Sequence, residues 1–528
     1  MGMDEVDIVV IGGGSGGSAA AGRLAQDGRF TVALLEAGGA NTSWKIRAPG
    51  MMPFIPDASN WRFETVPQAG LNGRTGYQPR GRGLGGSSAI NAMLYIRGAA
   101  WDYDNWAALG CDGWRYADVL PIFRRGEDNV CGADEFHGSG GPLAVSDQGS
   151  VNPGSLAFVE AGASLQLPLN DDFNGVSQDG VGLYQVTQKA GERWSAARAY
   201  VEPNRARIDV RTGALVEKLL IESGRATGVA FSQGGRSRAI RARRAVIVAG
   251  GAFGSPQTLM LSGIGPAGHL RAMGIKVLLD RPAVGSDLQD HIDYVAGYET
   301  DGLPFLGQSL KGTAASLKAM WQWFRTRSGP FTTPYAEAGG FARTRDGLPA
   351  PDIQFHFVPA LLEDHGRTKV KAHGFSCHAC VLRPESRGTV RLASADPAAP
   401  PLIDPAFLSD DRDVATLLAG VKLMRHILEA PALARYGGRD RHMAGVDDDA
   451  AMIEIIRDRA DTVYHPVGSC RMGADADSVV DPRLRVRGVA GLYVADASIM
   501  PRLVSGNTNA PSIMIGERCA DFVAADQN

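Results

Sequence analysis

The pattern Gly12-x-Gly14-x-x-Gly17 constrains this chain more than any other feature, because of what lies on either side of it. Before it runs Val6-Asp7-Ile8-Val9-Val10-Ile11, with the apolar, β-branched character of a buried parallel strand. After it, residues 18–26 are small and helix-compatible, and residues 30–35 form a second apolar run ending at Glu36. Strand, glycine turn, helix and strand in this order make a βαβ unit. Within such a unit the first glycine permits the tight turn, the second lets a pyrophosphate approach the backbone, and the third lets helix pack on strand. The helix N-terminus offers free N–H groups and the positive end of its dipole to phosphates. Glu36, at the end of the second strand, is placed to accept hydrogen bonds from ribose hydroxyls. The segment also spells Gly13-x-Ser15-x-Gly17, the elbow that presents a hydrolase nucleophile. A hydrolase needs sheet and an oxyanion loop ahead of its elbow. Only one strand precedes Ser15, and that reading leaves Glu36 without a role. Dinucleotide binding is the expectation.

A chain of 528 residues is long for one hydrophobic core, so two joined domains are expected. Glycine is high, 67 residues against a usual ~7%, which implies many turns or close backbone approaches to a bound group. The formal net charge of −3, with no basic run, argues against nucleic acid as a partner. Six cysteines without framework spacing point to a reducing compartment, hence the cytoplasm. The start, Met1-Gly2-Met3-Asp4-Glu5, lacks the basic and apolar regions of a secretory signal, and no apolar run is long enough to span a bilayer.

Nucleotide-type strands recur far along the chain. Ala245-Val246-Ile247-Val248-Ala249 ends in Gly250-Gly251, and Leu492-Tyr493-Val494-Ala495 ends in Asp496. A second acid-terminated strand near the C-terminus suits a large cofactor held extended across its domain. Between these lie segments at 353–357 and 380–392 that read as strands of a second sheet, and helices at 413–429 and 448–459; a last helix at 511–522 follows Asp496. Residues 142–188 read as irregular. The fold class expected is α/β with an α+β second domain. A discontinuous Rossmann-like domain (1–110, 190–300, 455–528) is threaded by a substrate domain on a mostly antiparallel sheet (111–189, 301–454).

Three stretches give the chain a resemblance to the glucose–methanol–choline oxidoreductase family over nearly its whole length. They are Pro79-Arg80-Gly81-Arg82-Gly83-Leu84-Gly85-Gly86-Ser87-Ser88-Ala89-Ile90-Asn91-Ala92-Met93, then Gly251-Ala252-Phe253-Gly254-Ser255-Pro256-Gln257, and then Tyr464-His465-Pro466-Val467-Gly468-Ser469-Cys470-Arg471-Met472-Gly473 with Gly506-Asn507-Thr508-Asn509-Ala510-Pro511. The shorter stretches Gly182-Leu183-Tyr184-Gln185-Val186-Thr187-Gln188 and Leu402-Ile403-Asp404-Pro405 are similar to the branch holding medium-chain alcohol dehydrogenases of alkane-using bacteria. The resemblance implies FAD, bound non-covalently, because Ile90 stands where flavin-linked members carry a histidine. It implies cofactor contacts from Gly12, Gly14, Ser15, Gly17, Glu36, Ala37, Trp61, Arg80, Leu84, Gly85, Gly86, Ser87, Asn91, Ala92 and Met93. It adds Val216, Ala249, Gly250, Asp496, Ala497, Asn507, Thr508 and Pro511 from later in the chain.

The implied reaction is oxidation of an alcohol, aliphatic or aryl, to the aldehyde. Removing the hydroxyl proton needs a base with a pKa near operating pH, and His465 is the candidate. Asn509 is expected to hold the same oxygen, and Trp61, Glu337, Phe357 and Tyr464 to line the substrate pocket. By the resemblance Glu337 matches a glutamate that meets the cation in choline-oxidising relatives, so choline oxidation is the alternative, with a same-fold lyase behind it. Cys377-His378-Ala379-Cys380 has metal-like spacing but no second ligand pair, so strand packing is expected there and no metal. Leu317, Met320, Trp321 and Phe324 fall on one helical face beside Lys318, Arg325 and Arg327. That face either packs on the body or makes a peripheral contact with the inner membrane, delivering electrons to a quinone. Oxygen is the other acceptor left open.

Overall fold

The computed structural model describes residues 4–300, 306, 310–364, 367–368 and 370–527. Two seven-stranded sheets organise the chain. In the first, the strands run in the order Ile208–Thr212, Val32–Glu36, Asp4–Ile11, Arg236–Val248, Arg225–Gln233, Ala214–Glu222, with Leu492–Val494 also paired to Arg236–Val248. The apolar runs foreseen from the sequence are its parallel part: Asp4–Ile11 lies between Val32–Glu36 and the end of Arg236–Val248. These strands are buried on both faces, which is why they carry no polar alternation. The three strands from 214 to 248 continue the sheet as an antiparallel meander. The helices Ser15–Asp27 and Asn509–Asp526 pack on one another beside this sheet.

The second sheet is antiparallel throughout, in the order Arg439–Asp440, Ile292–Thr300, His373–Val381, Ile353–Val358, Ala338–Ala342, Gly180–Leu183, with Asp461–Thr462 paired to Ile292–Thr300. One of its faces is apolar. Ile292, Tyr294, Ala296, Ile353, Phe355, Phe357, Cys377 and Ala379 lie in one core with Leu417, Val421 and Met424 of the helix Asp411–Glu429. The opposite face carries Asp293, Gln354, His356, His378 and Cys380, because successive residues of a strand alternate sides.

Several expectations shift. The strands Ile292–Thr300 and Asp461–Thr462 belong to the second sheet, although both fall in ranges assigned above to the nucleotide domain. The helix Tyr116–Gly126 packs on the C-terminal helix and contributes Val119, Ile122 and Phe123 to the first core, so residues just after 110 belong with the first sheet. The span expected to be irregular contains the helix Pro153–Ser164. Its start is written in Asn152-Pro153: the Asn152 side chain accepts from the Gly154 N–H and proline fills the first helical position. Cys377 and Cys380 sit on opposite faces of one strand, so they form no ligand pair, and no metal-holding cluster occurs among the described residues.

Candidate active site

Gly12 has φ +96°, a left-handed conformation, and a Cβ on it would lie 2.4 Å from the Ala249 carbonyl oxygen. A Cβ on Gly17 would lie 1.9 Å from the Gly12 oxygen. Gly14 is different: a Cβ there meets nothing within 4 Å, so the turn keeps an open face. Gly14 is also the N-cap of Ser15–Asp27, with no side chain bonded to the helix N-terminus. A second loop stacks beside this turn. The Gly85 N–H donates to the Gly13 oxygen at 2.7 Å, and a Cβ on Gly86 would sit 2.7 Å from Gly14 Cα. Glu36 joins the parts, its carboxylate accepting from the N–H groups of Gly13, Gly38 and Gly83 at 2.8, 2.8 and 2.9 Å. The open turn, uncapped helix end and second glycine loop fit the pyrophosphate of a dinucleotide.

Other expected contacts surround the cradle or brace it. Leu84 is buried against Gly13, Ser87 Oγ accepts from the Gly81 N–H, and Ala37 is half-buried after Glu36. Val216 is half-buried on its strand, while Ala249-Gly250 and Asp496-Ala497 close the ends of their strands. Asp496 accepts from the Gly251 N–H, the Ser255 hydroxyl and the Ser498 N–H, so it caps the helix Gly251–Leu261 as well as ending a strand. Thr508 is the N-cap of Asn509–Asp526, and Pro511 is in its first turn as its missing N–H allows. Among the described residues no base is bonded to Ser15. Its hydroxyl donates to Asn509 Oδ1 at 2.7 Å, which removes the hydrolase reading.

His465 is buried in a chain of hydrogen bonds whose proton positions can be worked out. His291 Nε2 lies 3.0 Å from the Leu382 carbonyl oxygen, which only accepts, so His291 carries its proton on Nε2. The neutral ring then leaves Nδ1 as an acceptor. His291 Nδ1 lies 2.9 Å from His465 Nδ1, which must therefore be the donor. That places the lone pair of His465 on Nε2, 3.2 Å from Asn507 Nδ2. The Asn507 amide is oriented in turn, since its Oδ1 accepts from Gln354 Nε2 at 3.3 Å. Burial holds both rings neutral. It takes His291 down to about 3, and it moves His465 well below the usual histidine range, helped by His291, His356 and Arg80. The backbone is held as firmly: the His465 N–H donates to Asp290 Oδ1 at 2.8 Å, and Asp290 Oδ2 accepts from Gln78 and Thr462. Tyr464 has φ +70° and its carbonyl accepts from Arg80 Nη2 at 2.6 Å, so the chain is turned sharply just before the histidine.

Three expected placements need correction. Asn507, not Asn509, meets His465. Asn509 opens the C-terminal helix and faces Ser15, whereas Asn507 precedes the helix and faces the second sheet. Phe357 lies on the helix-covered face of its strand, fully buried and stacked on Phe158 at 5.0 Å, so it lines no substrate pocket. Its neighbour His356 is on the cleft side. Glu337 is buried, with its carboxylate accepting from the Asn152 N–H, the Ser155 hydroxyl and the Thr333 hydroxyl, and it is ion-paired with no Lys, Arg or His among the described residues. Of the remaining expected pocket residues, Trp61 stacks on Phe63 at 5.7 Å beneath Arg82, and Tyr464 meets the edge of Tyr77. Sequence reasoning missed the roles of Asp290, His291, Gln354 and His356. Nothing local in Leu288-Gln289-Asp290-His291 ties it to residue 465.

Residues 6–293 match the N-terminal domain of the GMC oxidoreductases and residues 384–516 match their C-terminal domain. The chain is 42% identical over 525 residues to an alcohol dehydrogenase [acceptor] of Pseudomonas putida, covering 98% of this chain and 95% of that protein. It is 41% identical over 539 residues to an oxygen-dependent choline dehydrogenase of Rhizobium etli, covering 99% and 96%. Its fold is similar to that of a formate oxidase of Aspergillus oryzae solved in a study of FAD modification, with TM-score 0.92, 26% identity and coverage of 100% and 99%.

Proposed function

The chain belongs to the GMC oxidoreductase family of FAD flavoproteins, whose alcohol and choline dehydrogenases act on CH–OH donors, and from this premise we propose that it oxidises a primary alcohol to the aldehyde with His465 as the base. The observation that carries this reading is the proton order along Leu382, His291 and His465, which leaves Nε2 of a neutral imidazole unprotonated. Nε2 takes the hydroxyl proton of the substrate. The Asn507 amide N–H, already aimed at that atom, holds the alcohol oxygen as the proton leaves. FAD, when bound, supplies the acceptor for the hydride. Gly12, Gly14, Gly17 and the 83–88 loop would hold its pyrophosphate, and binding is non-covalent because Ile90 offers no nucleophile. Anaerobic mixing with a panel of alcohols, choline included, tests this. Replacing His465 with Ala should slow bleaching of the bound flavin by about 100- to 10,000-fold while FAD stays bound. Bleaching at the wild-type rate would exclude His465 as the base.

The electron acceptor is oxygen or a quinone, and a quinone requires contact with a membrane. No helix among the described residues is long and apolar enough to cross one. The helix Leu310–Thr326 instead presents Leu317, Trp321 and Phe324 to solvent at 56%, 62% and 47% exposure, while Trp323 on its other side is fully buried. Trp44 packs against Phe324 and exposed Phe54 follows on the next turn of chain. Residues 306–331 and 37–56 contain no Asp or Glu but do contain Lys45, Arg47, Lys318, Arg325 and Arg327. An aromatic patch bordered by Lys45, Arg47, Lys318 and Arg325, with Arg327 paired to Glu192, suits an anionic lipid surface. Co-sedimentation with anionic vesicles that Trp321→Glu abolishes is the expected result. A wild-type protein that stays in the supernatant would end this reading.

A further inference from the structure

Arg193 closes the short strand Glu192–Arg193 and is only 1% exposed. Its Nε donates to the Ile46 carbonyl at 3.0 Å, and its Nη1 donates to the Asn91 carbonyl at 2.6 Å and to Asn91 Oδ1 at 2.8 Å. Nη2 has no partner among the described residues. Nor does a carboxylate neutralise the group, since the adjacent Glu192 pairs with Arg198 and Arg327. Burial alone acts on Arg193 and brings it down to about 9. A buried cation bonded only to neutral oxygens is a costly feature, of the kind retained where charge has a use.

What Arg193 grips indicates that use. A peptide group is planar and trans, so its C=O and N–H point in opposite directions. With the Asn91 carbonyl on the guanidinium, the Ala92 N–H points away from Arg193, and it meets no acceptor among the described residues. Ala92 packs on a cluster that contains Tyr184, Val358 and Leu382. Leu382 holds His291 through its carbonyl, and Tyr184 lies within hydrogen-bond reach of Gln354, the partner of Asn507. In the other direction the same loop begins at Gly85, which is bonded to the glycine turn. The Ala92 N–H is thus held on the stretch of chain that links the pyrophosphate cradle to the histidine pair.

We propose that Arg193 is a positioning residue for the flavin: it fixes the Asn91–Ala92 peptide so that the Ala92 N–H addresses the isoalloxazine ring, and its unneutralised charge favours the electron-rich reduced ring. This rests on FAD occupying the cleft described above. The test uses holoenzyme in which Arg193 is replaced by Met or by Lys, reading the flavin midpoint potential by dye equilibration and the affinity for sulfite, which adds to the flavin as an anion. In Arg193→Met the potential should fall and the sulfite Kd should rise about tenfold, because a buried charge near the ring is lost. Arg193→Lys keeps the charge but brings one nitrogen to three acceptors, and should fall between Met and wild type. A purely structural arginine would alter thermal stability or FAD content and leave both readouts of the bound flavin in place. Wild-type potential and sulfite affinity in Arg193→Met overturn the proposal. If the Met variant does not retain FAD, the same result in Arg193→Lys overturns it, and a lowered potential with weakened sulfite binding there supports it. A wild-type protein that takes up no flavin defeats the cofactor reading itself, a separate outcome.

Discussion

Asn507 and Asn509 are two residues apart and do different work. Asn507 has its amide oxygen on Gln354 and its amide nitrogen on His465, while Asn509 accepts from Ser15 and joins the helices at the two ends of the chain. Replacing Asn507 with Ala should slow alcohol-driven flavin reduction about ten- to a hundredfold with FAD retained, through loss of the donor to the substrate oxygen. Replacing Asn509 with Ala should leave the rate per bound flavin within about twofold and instead weaken retention of the cofactor. Stopped-flow traces and FAD content of the two purified variants check both, and the reverse assignment would restore Asn509 to the base. The His465 motif was readable from its neighbours in the chain. Its bonded partner was not, because two asparagines flank one threonine and only the start of the helix separates their directions.

At the level of the element, strand parity decides what the second sheet can do. Along Ile353–Val358, Ile353, Phe355 and Phe357 enter the core beneath the helix Asp411–Glu429, while Gln354 and His356 face the cleft. A reading off by one residue turns a cleft residue into a core residue. Phe357→Ala should therefore cost about 3–5 kcal/mol of stability, as expected for a large cavity in a packed core. The ranking of alcohols by kcat/KM should not change. A denaturation curve and a substrate panel check the two halves, and a changed ranking with intact stability would put Phe357 back in the pocket. The helices at the chain ends show the same dependence on close packing. A Cβ on Gly516 would lie 2.2 Å from the Gly16 oxygen, so these helices cross nearly backbone to backbone. The Gly12–Gly17 turn was legible because its glycines are close in sequence, whereas the Gly16–Gly516 contact had no local signal.

Across the whole molecule, buried histidines of opposite kinds shape the dependence on pH. Burial lowers His291 to about 3 and holds His465 well below 6.5, so the unfolded chain binds more protons than the folded one below that pH. Their contribution is present above about pH 6.5 and is lost as pH falls toward 3. His137 goes the other way. Burial opposes its charge, but bonds to Asp172 and Glu127 outweigh that and raise it to about 9, within a network that Arg97 also joins. Its contribution is present below 6.5 and is lost as pH rises through 9. Thermal midpoints should peak near pH 6.5, and His137→Gln should flatten the alkaline side. An alkaline side unchanged by that substitution would remove His137 from the account. By itself the sequence determined the nucleotide-type βαβ unit, the glycine turn and the histidine motif, because each is set by residues within a few positions of one another. The tertiary structure alone decided which asparagine meets the imidazole, which side of a strand faces the cleft, and which of two domains owns the strands near their boundaries. Those choices depend on side-chain direction and on pairing between distant segments, and both are settled only when the sheets and helices pack.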